Sequence, residues 1–149
     1  MNETVRLALD RLTRALAADE GAPYFPSGFK TFLDAMVKKE YNKPDFDGRY
    51  VLKRGDGGLA RGPLQIHRVY WIDAQIMGRY EQVDSLRYAT KTLVNYMLRY
   101  CPDALFRDDW ETMARIHNGG PEGHKKASTL GYWRDVEKFM EAGQWAQPV

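Results

Sequence analysis

Helical periodicity runs through most of this chain and is broken by one stretch, Tyr41 to Gly62, which reads YNKPDFDGRYVLKRGDGGLARG. That break constrains the fold most. Each glycine in a helix interior costs about 1 kcal/mol relative to alanine, so a run this rich in glycine leaves the helical register. Its β-prone trio Tyr50-Val51-Leu52 predicts a small hairpin or irregular sheet, turning at Gly55-Asp56-Gly57-Gly58. The expected architecture is therefore α+β and mostly helical, with a β lobe over 41–62 inserted into a helical body.

The helices follow from apolar residues recurring every three or four positions. Val5, Leu9, Leu12 and Leu16 mark an N-terminal helix, broken by Gly21 through Pro26. Ser27 is placed to cap a second helix carrying Phe29, Phe32, Leu33, Met36 and Val37 and running to about Glu40. A third is expected from His67 to Met77, stopping at Gly78. Asp84 is expected to cap a fourth, which Pro102 ends. Two more are expected over Asp108 to His117 and Thr129 to Met140. With no repeat or linker, residues 1–149 read as one domain, in which 1–26 form an extra helix and connector.

A chain of 149 residues buries roughly 68–70% of its unfolded surface and needs no metal or disulfide to fold. Its 44% hydrophobic and 28% charged residues exclude a disordered tail, a collagen-like repeat and a stapled miniprotein. No apolar run is long enough to cross a membrane. A net charge of +2, with 22 basic residues interspersed among 20 acidic ones, gives no nucleic-acid footprint. Cys101 is the single cysteine, and the N-terminus lacks the apolar core of a signal peptide. Synthesis in a reducing cytoplasm is the expectation. His67, His117 and His124 lack metal-ligand spacing, and Asp45, Asp47 and Asp56 fail as a calcium loop because Tyr50 stands where that loop needs glycine. No metal or cofactor is expected.

Glu40 is the first residue with a chemical reading. It follows Val37 by three positions and Met36 by four, which puts it on the apolar face at the helix C-terminus. Burial and the helix dipole both disfavour its charged form, and a carboxyl kept protonated near neutral pH can serve as a general acid. The competing reading is a boundary glutamate whose stem covers the core while its head reaches water. Asp45, Asp47 and Asp56 offer a second carboxylate, hydrated in a polar, glycine-rich segment. Glycoside hydrolysis uses such a contrast between two acids. An aspartate between glycines also shapes a turn without any chemistry.

Two further segments bear a resemblance. Gly62-Pro63-Leu64-Gln65-Ile66 followed by Tyr70-Trp71-Ile72-Asp73 resembles the central signature of the invertebrate-type (destabilase-like) lysozymes. Ala114-Arg115-Ile116-His117-Asn118-Gly119-Gly120-Pro121, then Gly123 and Thr129-Leu130-Gly131-Tyr132-Trp133, resembles the second signature of that family. The similarity covers about Met36 to Val136. It implies a lysozyme-like fold, Glu40 as the catalytic acid and Asp56 as the second carboxylate. The Asp56-to-Gly62 spacing is one residue shorter than the family's, which leaves Asp45 and Asp47 as alternatives. The resemblance further implies Gln65, Tyr70, His117 and Asn118 as substrate contacts. Tyr70, Trp71, Tyr132 and Trp133 are flat faces for sugar rings or else core aromatics.

The chain departs from the family in its cysteines. Arg61 and His124 stand where the disulfide-dense relatives carry cysteine, which suits a bacterial or phage-like version. The activity so implied is that of a muramidase, cutting the β-1,4 bond between N-acetylmuramic acid and N-acetylglucosamine in peptidoglycan. The expected partners are glycan strands, with no nucleic acid, no membrane insertion and a monomeric protein. The enzyme would act on the wall after release or export. The alternatives are a lytic transglycosylase using Glu40 alone and a non-catalytic wall-binding or virion-structural protein.

Overall fold

The structure, a computed structural model, describes Glu3 and residues 27–146. The expected N-terminal helix with Val5, Leu9, Leu12 and Leu16 lies outside the described residues.

Helix α1, Ser27–Tyr41, buries Phe29, Phe32, Leu33, Met36 and Val37, as its periodicity requires. Full burial of each such side chain is worth about 1.5–3 kcal/mol. Phe32 stacks on Trp110 with ring centroids 5.0 Å apart. The lobe follows as three two-residue strands: β1 Arg54–Gly55, β2 Ala60–Arg61 and β3 Ile66–His67. They form one antiparallel sheet in the order β1-β2-β3, with Arg54 opposite Arg61 and Ala60 opposite His67. A 3₁₀ turn at Asp56–Gly58 joins β1 to β2, at the expected position.

Three local expectations are corrected. Tyr50-Val51-Leu52 is not an arm of the hairpin: Val51 is buried and its N–H donates to the Asp84 carbonyl, while Tyr50 bridges to Ser85. The segment is spent on fastening the lobe to the body. His67 closes the sheet instead of opening a helix, and α2 runs only from Arg68 to Ala74, where Gln75 turns left-handed (φ 53°). Asp84 does not cap the next helix, α3 (Leu86–Tyr100); Ser85 does, its Oγ accepting from the Tyr88 N–H. Asp84 is 1% exposed and takes two guanidinium groups from the strands of the lobe, Arg54 at 3.1 Å and Arg61 at 2.6 Å. Two basic partners from distant sequence outcompete a local role that a neighbouring serine can fill.

Pro102 ends α3 and opens a short α4, Pro102–Phe106, as proline can at a first helical position. Helix α5, Trp110–Gly119, is capped by Asp109, and α6 spans Leu130–Ala146. Helix α1 packs along α6, and α6 along α5. Leu64 and Ile66 leave the lobe and enter the same core as Met36, Leu93, Met113, Ile116 and Val136. Gly62 (φ 83°) lies so close to the Val83 carbonyl that any Cβ would collide with it. Gly123 stands in the same relation to the Arg115 carbonyl. Cys101 is buried with its Sγ 3.3 Å from the Met97 sulfur, and burial pushes its thiol up to about 12. Among the described residues no helix is long and apolar enough to cross a membrane.

Candidate active site

Glu40 sits in the last turn of α1, on the side facing α5 and α6, and its side chain is 18% exposed. The Tyr132 hydroxyl, from the first turn of α6, donates to Glu40 Oε1 at 2.8 Å. His117 Nε2, from α5, lies 3.7 Å from the same oxygen. Burial raises the Glu40 carboxyl to about 7, against the opposing pull of the Tyr132 hydrogen bond and of the ammonium groups of Lys53 and Lys39. Lys53 also donates to the Glu40 carbonyl at 2.7 Å, which joins the lobe to the negative end of the α1 dipole.

His117 is 3% exposed at its side chain, and burial pushes it down to about 4. It is neutral at ordinary pH, so its approach to Glu40 is not an ion pair. The Leu64 carbonyl, 3.0 Å from Nε2, can only accept, which puts the ring proton on Nε2. Nδ1 then accepts from the Tyr70 hydroxyl at 2.9 Å. Tyr70 in turn stacks on Tyr96, centroids 3.7 Å apart. Burial holds the phenols of Tyr70 and Tyr132 well above their usual range, so both remain donors.

The lobe places Asp56 at the tip of its turn, 69% exposed. Its backbone is left-handed (φ 53°), as are Gly57 (φ 68°) and Gly58 (φ 93°). Aspartate tolerates that region better than most side chains, and strain of this kind concentrates at functional sites. Asp56 Oδ2 lies 3.2 Å from His67 Nε2, a pairing created by the β2–β3 register. Asp45 accepts from the Tyr41 hydroxyl at 3.2 Å and Asp47 from the Arg49 N–H at 2.9 Å; both are local contacts within an exposed stretch.

Of the four residues expected to touch substrate, Asn118 is exposed. Gln65 is left-handed (φ 49°) and donates its amide to the Gly62 carbonyl at 2.8 Å, which braces the lobe. Tyr70 and His117 lie behind Glu40 with their polar atoms engaged. Tyr132 is a buried core aromatic as well as the partner of Glu40. Neither Tyr132 as the Glu40 donor nor His67 as the Asp56 partner was legible from spacing, because each contact spans separate elements. An open hollow of about 480 Å³ beside Tyr41, Lys43 and Phe46 includes neither Glu40 nor Asp56. Among the described residues, no group of three His, Cys, Asp or Glu side chains could hold a metal ion.

No family model matches the chain. It is 42% identical over 85 residues to a lysozyme of Meretrix lusoria, a match covering 56% of this chain and 70% of that protein. It is 36% identical over 93 residues to invertebrate-type lysozyme 6 of Caenorhabditis elegans, covering 54% of this chain and 67% of the relative. The crystal structure of Tapes japonica lysozyme superposes with a TM-score of 0.59 at 30% identity, over 72% of this chain and 87% of that one. The chain belongs to the invertebrate-type lysozymes.

Proposed function

We propose that Glu40 is the general acid, and Asp56 the second carboxylate, of a peptidoglycan muramidase. The activity follows from the family; the assignment of roles rests on the site. One observation carries it: Glu40 is a buried carboxyl raised to about 7, beside a hydroxyl donor. Such a group is still substantially protonated near neutral pH and can deliver its proton to the leaving glycosidic oxygen. Asp56 stands exposed on the lobe, where it attacks the anomeric carbon or stabilises the oxocarbenium-like transition state. Glu40, by then a carboxylate, accepts a proton from the incoming water. His67 orients Asp56, and exposed Asn118 is the contact for sugar hydroxyls or N-acetyl groups. Tyr70, His117 and Gln65 support the two carboxyl positions from behind. Asp45 and Asp47 are less suited than Asp56, because they lie outside the turn between β1 and β2 and bond to near neighbours in sequence, Tyr41 and Arg49. The protein acts as a monomer on wall glycan outside the cytoplasm.

The test is Glu40→Gln, assayed by mass spectrometry of digested cell walls. A positioned acid is worth about 10²–10⁴-fold, and the variant is expected to lose that much while its thermal midpoint holds or rises. Wild-type products should carry reducing ends. Anhydro-muramyl ends would show a transglycosylase, and a variant retaining half its rate would remove Glu40 from the mechanism.

A further inference from the structure

The carboxyl of Glu40 has two oxygens in different surroundings. Oε1 accepts from the Tyr132 hydroxyl at 2.8 Å and faces His117 Nε2 at 3.7 Å. Among the described residues no protein donor is bonded to Oε2. A neutral carboxyl has one carbonyl oxygen and one hydroxyl, so its neighbours decide which oxygen carries the proton. We infer that Tyr132 is a positioning residue for the reaction: its hydroxyl, donating to Oε1, keeps that oxygen as the carbonyl and so places the transferable proton on Oε2. The inference rests on Glu40 being the acid.

The surroundings make this direction of donation the stable one. The other neighbour of the Tyr132 hydroxyl is the Met36 sulfur at 3.5 Å, a weak acceptor. If Oε1 held the proton and gave it to Tyr132, the phenol would have only that thioether to donate to, and the acid proton would be locked inside the protein. His117 contributes by staying neutral. Its Nε2–H is committed to the Leu64 carbonyl and its Nδ1 to Tyr70, so it neither takes the Glu40 proton nor sets a positive charge beside it. The remaining charges facing Glu40 are the ammonium groups of Lys53, on the lobe, and of Lys39, itself paired to Asp135 at 2.7 Å. One phenol on α6 thus fixes both the rotamer of the acid and the oxygen that carries its proton. The helical body, through α6, is a working part of the catalytic apparatus.

The test is Tyr132→Phe, which keeps the ring and removes only the donor. Loss of one hydrogen bond of ordinary strength corresponds to about a tenfold fall in kcat, and KM should hardly move because Tyr132 does not reach the substrate. The basic limb of the pH–rate profile should move to higher pH, since the lost donor favoured the carboxylate. Carbon-13 NMR of the Glu40 carboxyl should show the same upward displacement without reference to activity. A fall in kcat with both titrations unmoved would mean a merely structural role and would overturn the inference. A rise in kcat would show the proton trapped toward Tyr132 in the wild type, and would overturn it too. Glu40→Gln separates this from the reading beneath it: if that variant is active, the acid is misassigned whatever Tyr132→Phe does. If it is dead while Tyr132→Phe keeps the wild-type rate and profile, only the positioning role fails.

Discussion

The two carboxyl positions are built by opposite means. The helical body holds Glu40 by packing: three helices converge on it, its nearest polar neighbours are a phenol and a neutral imidazole, and water is largely excluded. The lobe holds Asp56 by charge and backbone geometry. Its strands are two residues long, its turn is left-handed over three consecutive residues, and its anchorage is Asp84 clasped by Arg54 and Arg61. A lobe this small cannot bury enough apolar surface to fix itself, so ion pairs and the two entering side chains, Leu64 and Ile66, replace a core. The two environments also separate the acids chemically. One carboxyl is kept dry enough to hold its proton, and the other is left in water.

The sharpest way to break this comparison is at the lobe tip. Asp56→Asn should lower cell-wall hydrolysis on the order of 10²-fold, the cost typical of removing one preorganised electrostatic contact. The basic limb of the pH profile, which reports Glu40, should survive in the residual activity. Asp45→Asn and Asp47→Asn are the controls; if Asp47→Asn is inactive and Asp56→Asn is not, the second carboxylate is Asp47.

Next in size is the anchorage. Asp84→Asn leaves two guanidinium groups facing each other without a counter-charge. Breaking a buried pair of this kind costs about 3 kcal/mol or more, which is roughly 6–12 °C in a domain of this size. Thermal unfolding should show that loss. A midpoint within a degree of wild type would mean that the lobe is held by its apolar contacts instead.

The smallest effect sharpens the account of the body and concerns stability against pH. Glu40 titrates at about 7 folded against 4.5 unfolded, so the folded state binds more protons across that window and stability falls as pH rises through it. His117 titrates at about 4 folded against 6.5 unfolded, and stability on its account rises with pH between those values. The two contributions oppose each other in the wild type. Glu40→Gln removes the first and uncovers the second, so its advantage over wild type should grow by about 2 kcal/mol between pH 5 and pH 7. Equal differences at the two pH values would mean that burial does not hold the Glu40 proton.

Much of this was legible in the chain. The apolar spacing of Phe29, Phe32, Met36 and Val37 gave α1 and put Glu40 at its inner end, because a helix fixes which face each residue occupies. The glycine cluster at 55–58 gave the turn, because few other residues accept its backbone angles. Each signature segment contains a glycine, Gly62 or Gly123, pressed against a backbone carbonyl, that of Val83 or Arg115, where no side chain fits.

Partnership across elements was out of reach of periodicity. Asp84 and Ser85 are adjacent and equally suited to cap α3, and only the approach of Arg54 and Arg61 from the lobe separates their roles. Gln65, Tyr70 and His117 look like polar and aromatic groups suited to a sugar. The fold turns them inward: Tyr70 and His117 bond to each other, and His117 to the Leu64 carbonyl, across separate elements, while Gln65 folds its amide back onto the Gly62 carbonyl three residues earlier. The sequence by itself determined the helices, the position of the lobe and the contrast between Glu40 on an apolar helix face and the aspartates of a polar lobe, since these follow from backbone sterics and burial periodicity; only the family resemblance singled out Asp56 from Asp45 and Asp47. Only the tertiary structure decided what touches those acids — Tyr132 on Glu40, His67 on Asp56 — because a hydrogen bond depends on the separation of two atoms in space, and sequence spacing fixes that separation only within one element.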